Sequence, residues 1–369
     1  MEFFGKKKQH ALVMLTTLLL ILGFVVSFFA ASPQALAHGK RFEGFFKQRN
    51  LVSDIPGRAR VTDPNLVNSW GIVADRKARF WIADNGTGVA TVYNGRGTPL
   101  PKGNPLVIRI PLPKGATGHS APTGIVLNDT HKFVIKAHGK KAPARLIFDT
   151  EDGTIAAWNP KVDRTHAILV VDRSKKGAIY KGLARIKDLL FAANFFAGRV
   201  EVFDKKFHLK KSFTDENLPA GYAPFGIRNI RGLLYVTFAL QDANKEDDVP
   251  GAGHGFVDIF NIHGHLLKRL ISRGQLDSPW GLVLAPGEFG PFGRALLVGN
   301  FGNGRINAFN PRTGKFLGTL RDKHGQPIIN DGLWGLTFGK RIGERNTLFF
   351  TAGLNDEQNG LFGSIKFVD

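Results

Sequence analysis

The chain has 369 residues, 44 glycines, no cysteine and a formal charge of +20. Without cysteine it has no disulfide framework, no thiol nucleophile and no cysteine-ligated zinc cluster. With 43% hydrophobic residues it can bury a sizeable core, and the abundance of glycine fits a turn-rich β protein.

The first segment reads as an address. Lys6, Lys7 and Lys8 precede an apolar run from Ala11 to Ala31, and Ala35-Leu36-Ala37 supplies a small-residue cleavage motif. The expectation is an export signal over residues 1–37, followed by a short basic linker over 38–48. The apolar run is also long enough to span a bilayer, so an uncleaved anchor is the alternative. Either way the protein is expected outside the cytoplasm, periplasmic or extracellular. Cleavage would remove three lysines and one glutamate and leave +18.

From residue 49 onward one pattern recurs. A short motif ending in Gly-Ile or Gly-Leu leads to an apolar run, then a Gly/Asn/Asp turn, then an alternating run. The anchoring glycines are Gly71, Gly124, Gly182, Gly226, Gly281 and Gly335, spaced 53, 58, 44, 55 and 54 residues apart. Such a period signals a solenoid, propeller or array. Short apolar or alternating runs bounded by turn residues are strands. A further run follows in several copies, at Leu209–Phe213, Leu266–Ile271 and Phe316–Leu320. Each copy therefore supplies four antiparallel strands, a to d, and no long 3.6-residue period predicts helices. Radial repetition of four-stranded sheets is a β-propeller. The fold expectation is all-β, a six-bladed β-propeller of four-stranded antiparallel blades over residues 49–369. An open solenoid or two sandwiches are the alternatives.

The sixth copy ends after its third strand, at Val368. Arg49–Asp54 precedes the first copy as a fourth strand would. The N-terminal strand should pair with the last blade, which closes the ring and removes an exposed edge. Large aromatics stand before four of the six glycines or in their place in the motif: Trp70, Phe225, Trp280 and Trp334. They are expected to pack between neighbouring blades, with the glycines allowing close packing near the axis.

The meander decides which loops meet. The b–c turns and the d–a connections share one end of the ring. Two b–c loops are unusual. In the fourth copy, Ala239–Gly255 is the one acidic cluster on a basic protein. In the sixth, Asn355–Asn359 is long and polar. Ligand-binding candidates on that face are Asp84, Asn85, His119, Glu151, Asp152, Asn194, Gln241, Asp242, Asp247, Asp248, His254, Asn300, Asp331, Asn355, Asp356 and Glu357, since loops on a rigid scaffold carry binding and catalysis. Oxygen-rich loops can also hold Ca²⁺, with Asp242 and Asp247 as ligands, although the spacing is not that of an EF-hand. A polar surface loop is the plainer reading. His263-Gly264-His265 reads as a c–d turn on the other end. Gly-x-Ser-x-Gly, His-Glu-x-x-His and Walker-A signatures are absent.

Residues 131–211 hold 18 Lys/Arg against 8 Asp/Glu. The dense points are Lys140-Lys141, Lys175-Lys176, Lys205-Lys206 and Lys210-Lys211. Such a surface would attract an anionic envelope glycan or lipid headgroup rather than nucleic acid; a face charged for solubility is the alternative. The expected state is a monomer.

The Trp-Gly-Ile/Leu opening followed by Ala-Asp/Asn and Val-x-Val-Phe-Asp resembles NHL-type propeller repeats. Four longer segments resemble an uncharacterised family of exported bacterial NHL-like β-propellers: Asn65–Ile72, Phe148–Trp158, Gln241–Phe256 and Phe350–Ser364. The resemblance implies six blades and export, and no activity. Some members of that family end in a C-terminal sorting signal that is not found before Asp369. Two functions follow as expectations. One is a binding or interaction protein using the b–c face. The other, by analogy with six-bladed calcium lactonases, is a metal-dependent hydrolase with a divalent ion polarising a carbonyl.

Overall fold

Six sheets, each with four antiparallel strands and one carrying an extra short parallel strand, Val61–Thr62, are arranged around an axis in the computed structural model, which describes residues 44–369. The expected leader and most of the linker lie outside the described residues. Blade one is built from Ser69–Ala74, Arg79–Asp84, Val89–Asn94 and Ile108–Arg109; blade two from Pro122–Leu127, Leu146–Thr150, Thr154–Trp158 and Ile168–Asp172. Blade three comprises Tyr180–Ile186, Leu189–Asn194, Arg199–Phe203 and Leu209–Phe213, and blade four Tyr222–Ile230, Leu233–Leu240, Phe256–Phe260 and Leu266–Ser272. Blade five holds Pro279–Leu284, Leu296–Asn300, Ile306–Phe309 and Phe316–Thr319. Blade six is Leu333–Phe338, Thr347–Leu354 and Asn359–Val368, completed by Phe45–Ser53. Among the described residues the only helical pieces are three single 3₁₀ turns.

The closing strand pairs antiparallel with Asn359–Val368, from Phe45 opposite Val368 to Ser53 opposite Leu361. It begins at Phe45, four residues before the expected boundary. Phe46 explains the extension: its ring packs on Phe289, Phe292 and Phe367, bridging blades five and six. Leu51 and Val52 are buried between blades six and one. Between the first two strands of blade two, Val134–Ala137 and Lys140–Pro143 form an additional hairpin. Phe133 at its base meets Phe207 in the c–d turn of blade three.

The six glycines form a closed circuit. A Cβ on Gly71, Gly124, Gly182, Gly226, Gly281 or Gly335 would come within 3.0 Å of the next blade's inner strand, at Thr123, Leu183, Phe225, Trp280, Trp334 and Trp70 respectively. Only a residue without a side chain lets the inner strands approach this closely. Side chains of strand b then stitch the circuit. Asp149 Oδ1 accepts from the Gly124 amide at 2.7 Å, Thr237 Oγ1 from Gly226 at 2.8 Å and Thr351 Oγ1 from Gly335 at 2.9 Å. Asp149 is fully buried, and that burial pushes its pKa up to about 7 against its hydrogen bonds.

The aromatics before the glycines pack between adjacent blades, as Trp70–Trp334 and Trp280–Trp334 do, and also meet across the channel. They fill the channel. Trp70 of blade one stacks on Trp334 of blade six with centroids 3.5 Å apart, and also meets Trp280 of blade five at 6.0 Å. Phe225 of blade four reaches Trp334 at 5.8 Å. Blades one and five, or four and six, are not neighbours, so these contacts cross the axis. Phe195 and Phe301 from b–c loops complete the plug. Leu51→Ala should cost about 2–4 kcal/mol through the cavity it leaves, and Gly281→Ala about 1–3 kcal/mol through overpacking. Urea unfolding of both variants measures this, and a neutral Gly281→Ala would show that the inner strands have room to spare.

Candidate functional site

The position before each ring glycine points a side chain at the axis. Five of the six hold Trp70, Thr123, Phe225, Trp280 and Trp334. The sixth holds Lys181, whose side chain is 2% exposed. A buried ammonium must be paired. Lys181 Nζ donates to Glu151 Oε1 at 2.5 Å and to Asp247 Oδ1 at 2.7 Å. It also lies 5.3 Å from the ring centroid of Trp70 and 5.8 Å from that of Phe195, a cation–π arrangement. Burial opposes the charge, but the two carboxylates outweigh it and hold the lysine's pKa above its ordinary range.

Around this centre a hydrogen-bonded chain crosses five blades. Glu151 Oε2 accepts from Asn85 Nδ2 at 2.7 Å. Asn68 Nδ2 donates to Asn85 Oδ1 at 3.3 Å and to Glu357 Oε2 at 2.6 Å. Asn68 Oδ1 accepts from the Trp334 indole at 3.1 Å, which ties the polar chain to the aromatic plug. The Trp280 indole donates to the Lys181 carbonyl at 2.7 Å. Burial pushes the Glu357 pKa up to about 7; Asn68 pulls against it and Glu151 adds to it. Asp248 is raised to about 6, again mainly by burial, and one of its oxygens is buried with no partner. Asn355, Asp356 and Glu357 all have left-handed backbone, with φ of 53°, 51° and 65°. Glutamate disfavours that region, so the turn carries strain of a kind that gathers at functional sites.

The candidates therefore divide. Asn85, Glu151, Asp247 and Glu357 meet around Lys181, with Asp248 near enough to sense its charge. The acidic loop of blade four and the turn of blade six thus share one end. The others serve the scaffold. Asp84 is fully buried and accepts from Ser69 and Thr91 inside blade one. Asp152 caps the blade-two connection by accepting from Ser120 and Ala121. Asn194 is buried against Glu201, Asn300 donates to the Gln275 carbonyl, and Gln241 donates to the Phe195 carbonyl. His254 holds the Val249 carbonyl within its own loop, while Asp277 accepts from Gly251 and pins that loop. Asp331 accepts from the Asn355 amide, and Asn355 and Asp356 form the exposed tip of the blade-six turn. His119 lies off to one side, in a cavity of about 420 Å³ between blade one and the connection that leads to blade two. His263 and His265 hang their amides on Asn261 in a c–d turn.

The carboxylates of Asp242 and Asp247 are each engaged by groups of the protein itself. Asp242 Oδ1 accepts from the amides of Glu246 and Asp247 and so shapes its own turn. Asp247 turns its carboxylate to Lys181. Among the described residues no three acidic or histidine side chains are placed to hold a metal. The place a cation would take is filled by a covalently held ammonium, and the donor set does not fit Ca²⁺.

Lys181 and Asn68 escaped the sequence reading. The signal was present: Lys181 is a charge at a position that is otherwise apolar or small in every copy.

The Glu357 carboxyl titrates at about 7 in the fold, above its ordinary value. Its proton is therefore favoured by the folded state, and stability is lost as pH rises through the window from 4.5 to 7. Glu357→Gln should match the parent near pH 4.5 and exceed it by about 1–2 kcal/mol above pH 7. Paired urea unfolding at pH 4.5, 6 and 8 checks this; a difference that does not change with pH would place Glu357 in open solvent.

No protein-family model matches the chain. Two uncharacterized proteins of Acanthamoeba polyphaga mimivirus are 36% and 32% identical to it, over 87% and 88% of this chain and 80% and 87% of their own lengths. Among solved structures it is similar to a streptogramin B lyase, with TM-score 0.52, 12% identity, and coverage of 88% of this chain and 98% of that one. It is also similar to a catalytically inactive virginiamycin B lyase from Staphylococcus aureus with quinupristin, with TM-score 0.50, 13% identity, and coverage of 88% and 100%. At these identities the likeness extends to the fold alone. The relatives are viral, so the bacterial source and the NHL assignment expected from the repeats find no support, whereas the six-bladed propeller stands.

Proposed function

The chain belongs to the family represented by these two mimivirus proteins, and we propose that it is an exported binding module that takes its ligand on the b–c face. The observation that carries this reading is the polar chain centred on Lys181. It is assembled from five blades and rests on a rigid aromatic plug, yet one of its carboxylates, Asp247, is 74% exposed. A preorganised group with a wet outer edge suits recognition. The strained Asn355–Glu357 turn, which holds Glu357 on Asn68, supports the same reading. The ligand would meet Asp247, Asp248, Asp356 and Glu357, so its complementary groups are hydrogen-bond donors or cations.

Export rests on the leader over residues 1–37. The basic doublets are offered as a second contact, with an anionic glycan or headgroup surface. Lys140-Lys141 lie on the hairpin of blade two and Lys205-Lys206 in the c–d turn of blade three. Binding through them would weaken as salt rises past about 0.15 M.

A polyamine and basic-peptide array probed with the full chain tests the b–c reading. Asp242→Ala/Asp247→Ala should lose at least tenfold in binding to any hit while keeping a cooperative melt. Retained binding by the folded double variant rejects the site. Calcium and chelator should leave the melting temperature unchanged; a chelator-sensitive melt would restore the metal-dependent hydrolase reading instead.

A further inference from the structure

The opposite mouth of the channel is open where the b–c mouth is plugged. A cavity of about 550 Å³ lies there. Its wall is supplied by the inner strands of all six blades, and Ile72, Ile125, Leu183, Ile227, Leu282 and Leu336, one residue past each ring glycine, line it. Towards its rim the lining becomes charged, with six cations against two acids. Both acids are already engaged. Asp75 pairs with Arg79 at 2.6 Å and with Arg145 at 3.3 Å, and Asp129 pairs with Arg185 and, more loosely, with Arg76.

Three cations are left over: Lys77, which is exposed on the a–b turn of blade one, and two others that face one another. Arg228, half-buried on the inner strand of blade four, has no acidic partner among the described residues. Its one hydrogen bond is a long one, 3.4 Å, to Thr337 Oγ1 on blade six. Lys340, at the a–b turn of blade six, also lacks an acidic partner among the described residues, and it is close enough to feel the Arg228 charge. Burial lowers the Arg228 pKa to about 10, and burial together with Arg228 lowers that of Lys340. Arg228 still carries its charge at neutral pH. A guanidinium taken out of water without a counter-charge is a standing cost to the fold. An oxyanion between the two would remove that cost and gain a charge-assisted pair of hydrogen bonds. The Thr337 hydroxyl, which accepts from Arg228, keeps its own proton to donate.

We propose that this mouth is a binding site for a small organic anion, its carboxylate or phosphate held by Arg228, Lys340 and Thr337 and its apolar part lying along the aliphatic wall. The site is separate from the b–c rim and does not depend on it. The guanidinium fork suits a planar or tetrahedral oxyanion equally, and the volume admits a ligand of drug size or smaller.

The test is thermal shift and titration calorimetry on the full chain with inorganic phosphate, benzoate and phenyl phosphate, against sodium chloride at matched ionic strength. Benzoate and phenyl phosphate should raise the melting temperature beyond the chloride control, and whichever binds tighter tells carboxylate from phosphate. Phosphate alone should bind at least tenfold more weakly than phenyl phosphate, since it leaves the aliphatic wall uncovered. Arg228→Met should abolish the anion response and raise the melting temperature of the free protein, because an unpaired charge leaves the interior. Lys340→Gln, at the a–b turn of blade six, should weaken binding at least fivefold. Asp242→Ala/Asp247→Ala, at the far end, should bind the anions as the parent does. Shifts no larger than chloride gives, or equal shifts in Arg228→Met and Lys340→Gln, overturn the proposal.

Discussion

The circuit of six glycines is the constraint on which the rest of the molecule depends. Each stands where a Cβ would strike the backbone or side chains of the neighbouring inner strand, so the inner strands sit closer together than any side chain would allow. That closeness narrows the channel until the residues before the glycines meet one another across it. Three tryptophans and a phenylalanine there make a plug rather than a pore. The circuit also orders the strand-b side chains Asp149, Thr237 and Thr351, which satisfy the glycine amides and lock each sheet to its own inner edge.

Given that plug, a single departure from the apolar pattern reorganises one end of the protein. Lys181 brings a charge into a closed space, and the carboxylates of two other blades must come to it. Glu151 then recruits Asn85, Asn85 meets Asn68, and Asn68 holds both Glu357 and the Trp334 indole. The acidic loop of blade four, which reads in isolation as a surface cluster or a cation site, is anchored by this lysine and by Asp277. A fixed ammonium serves as the counter-ion of both Glu151 and Asp247.

The two ends of the channel differ in kind for the same reason. At the b–c end the buried ammonium of Lys181 is compensated by carboxylates from two other blades, and the aromatic plug closes the floor. At the other end the wall is aliphatic and cations outnumber acids. One end is a finished network with an exposed edge; the other is an open, positively charged hollow with Arg228 uncompensated.

The sequence by itself determined the ring. Glycine spacing, turn residues and alternating runs fixed six blades, the order of their strands and the face shared by the b–c turns, because these are local or strictly repeated features. The missing last strand at Val368 and the spare one before Asp54 determined closure. Its start at Phe45 was less legible, since it depends on Phe46 packing against Phe289 and Phe367, far away in the chain. Only the tertiary structure decided which way the residues before the glycines point. An inner propeller strand is buried on all sides, so alternation marks two faces without telling axis from neighbour, and Trp70 and Trp334 read as blade-to-blade packing without showing that each also makes contacts across the channel. It also decided which polar loop residues meet: Asn85 and Glu357 converge on one network while Asp84 and Asn194 turn into their own blades, because the last half-turn of each loop, and not its composition, directs the side chain.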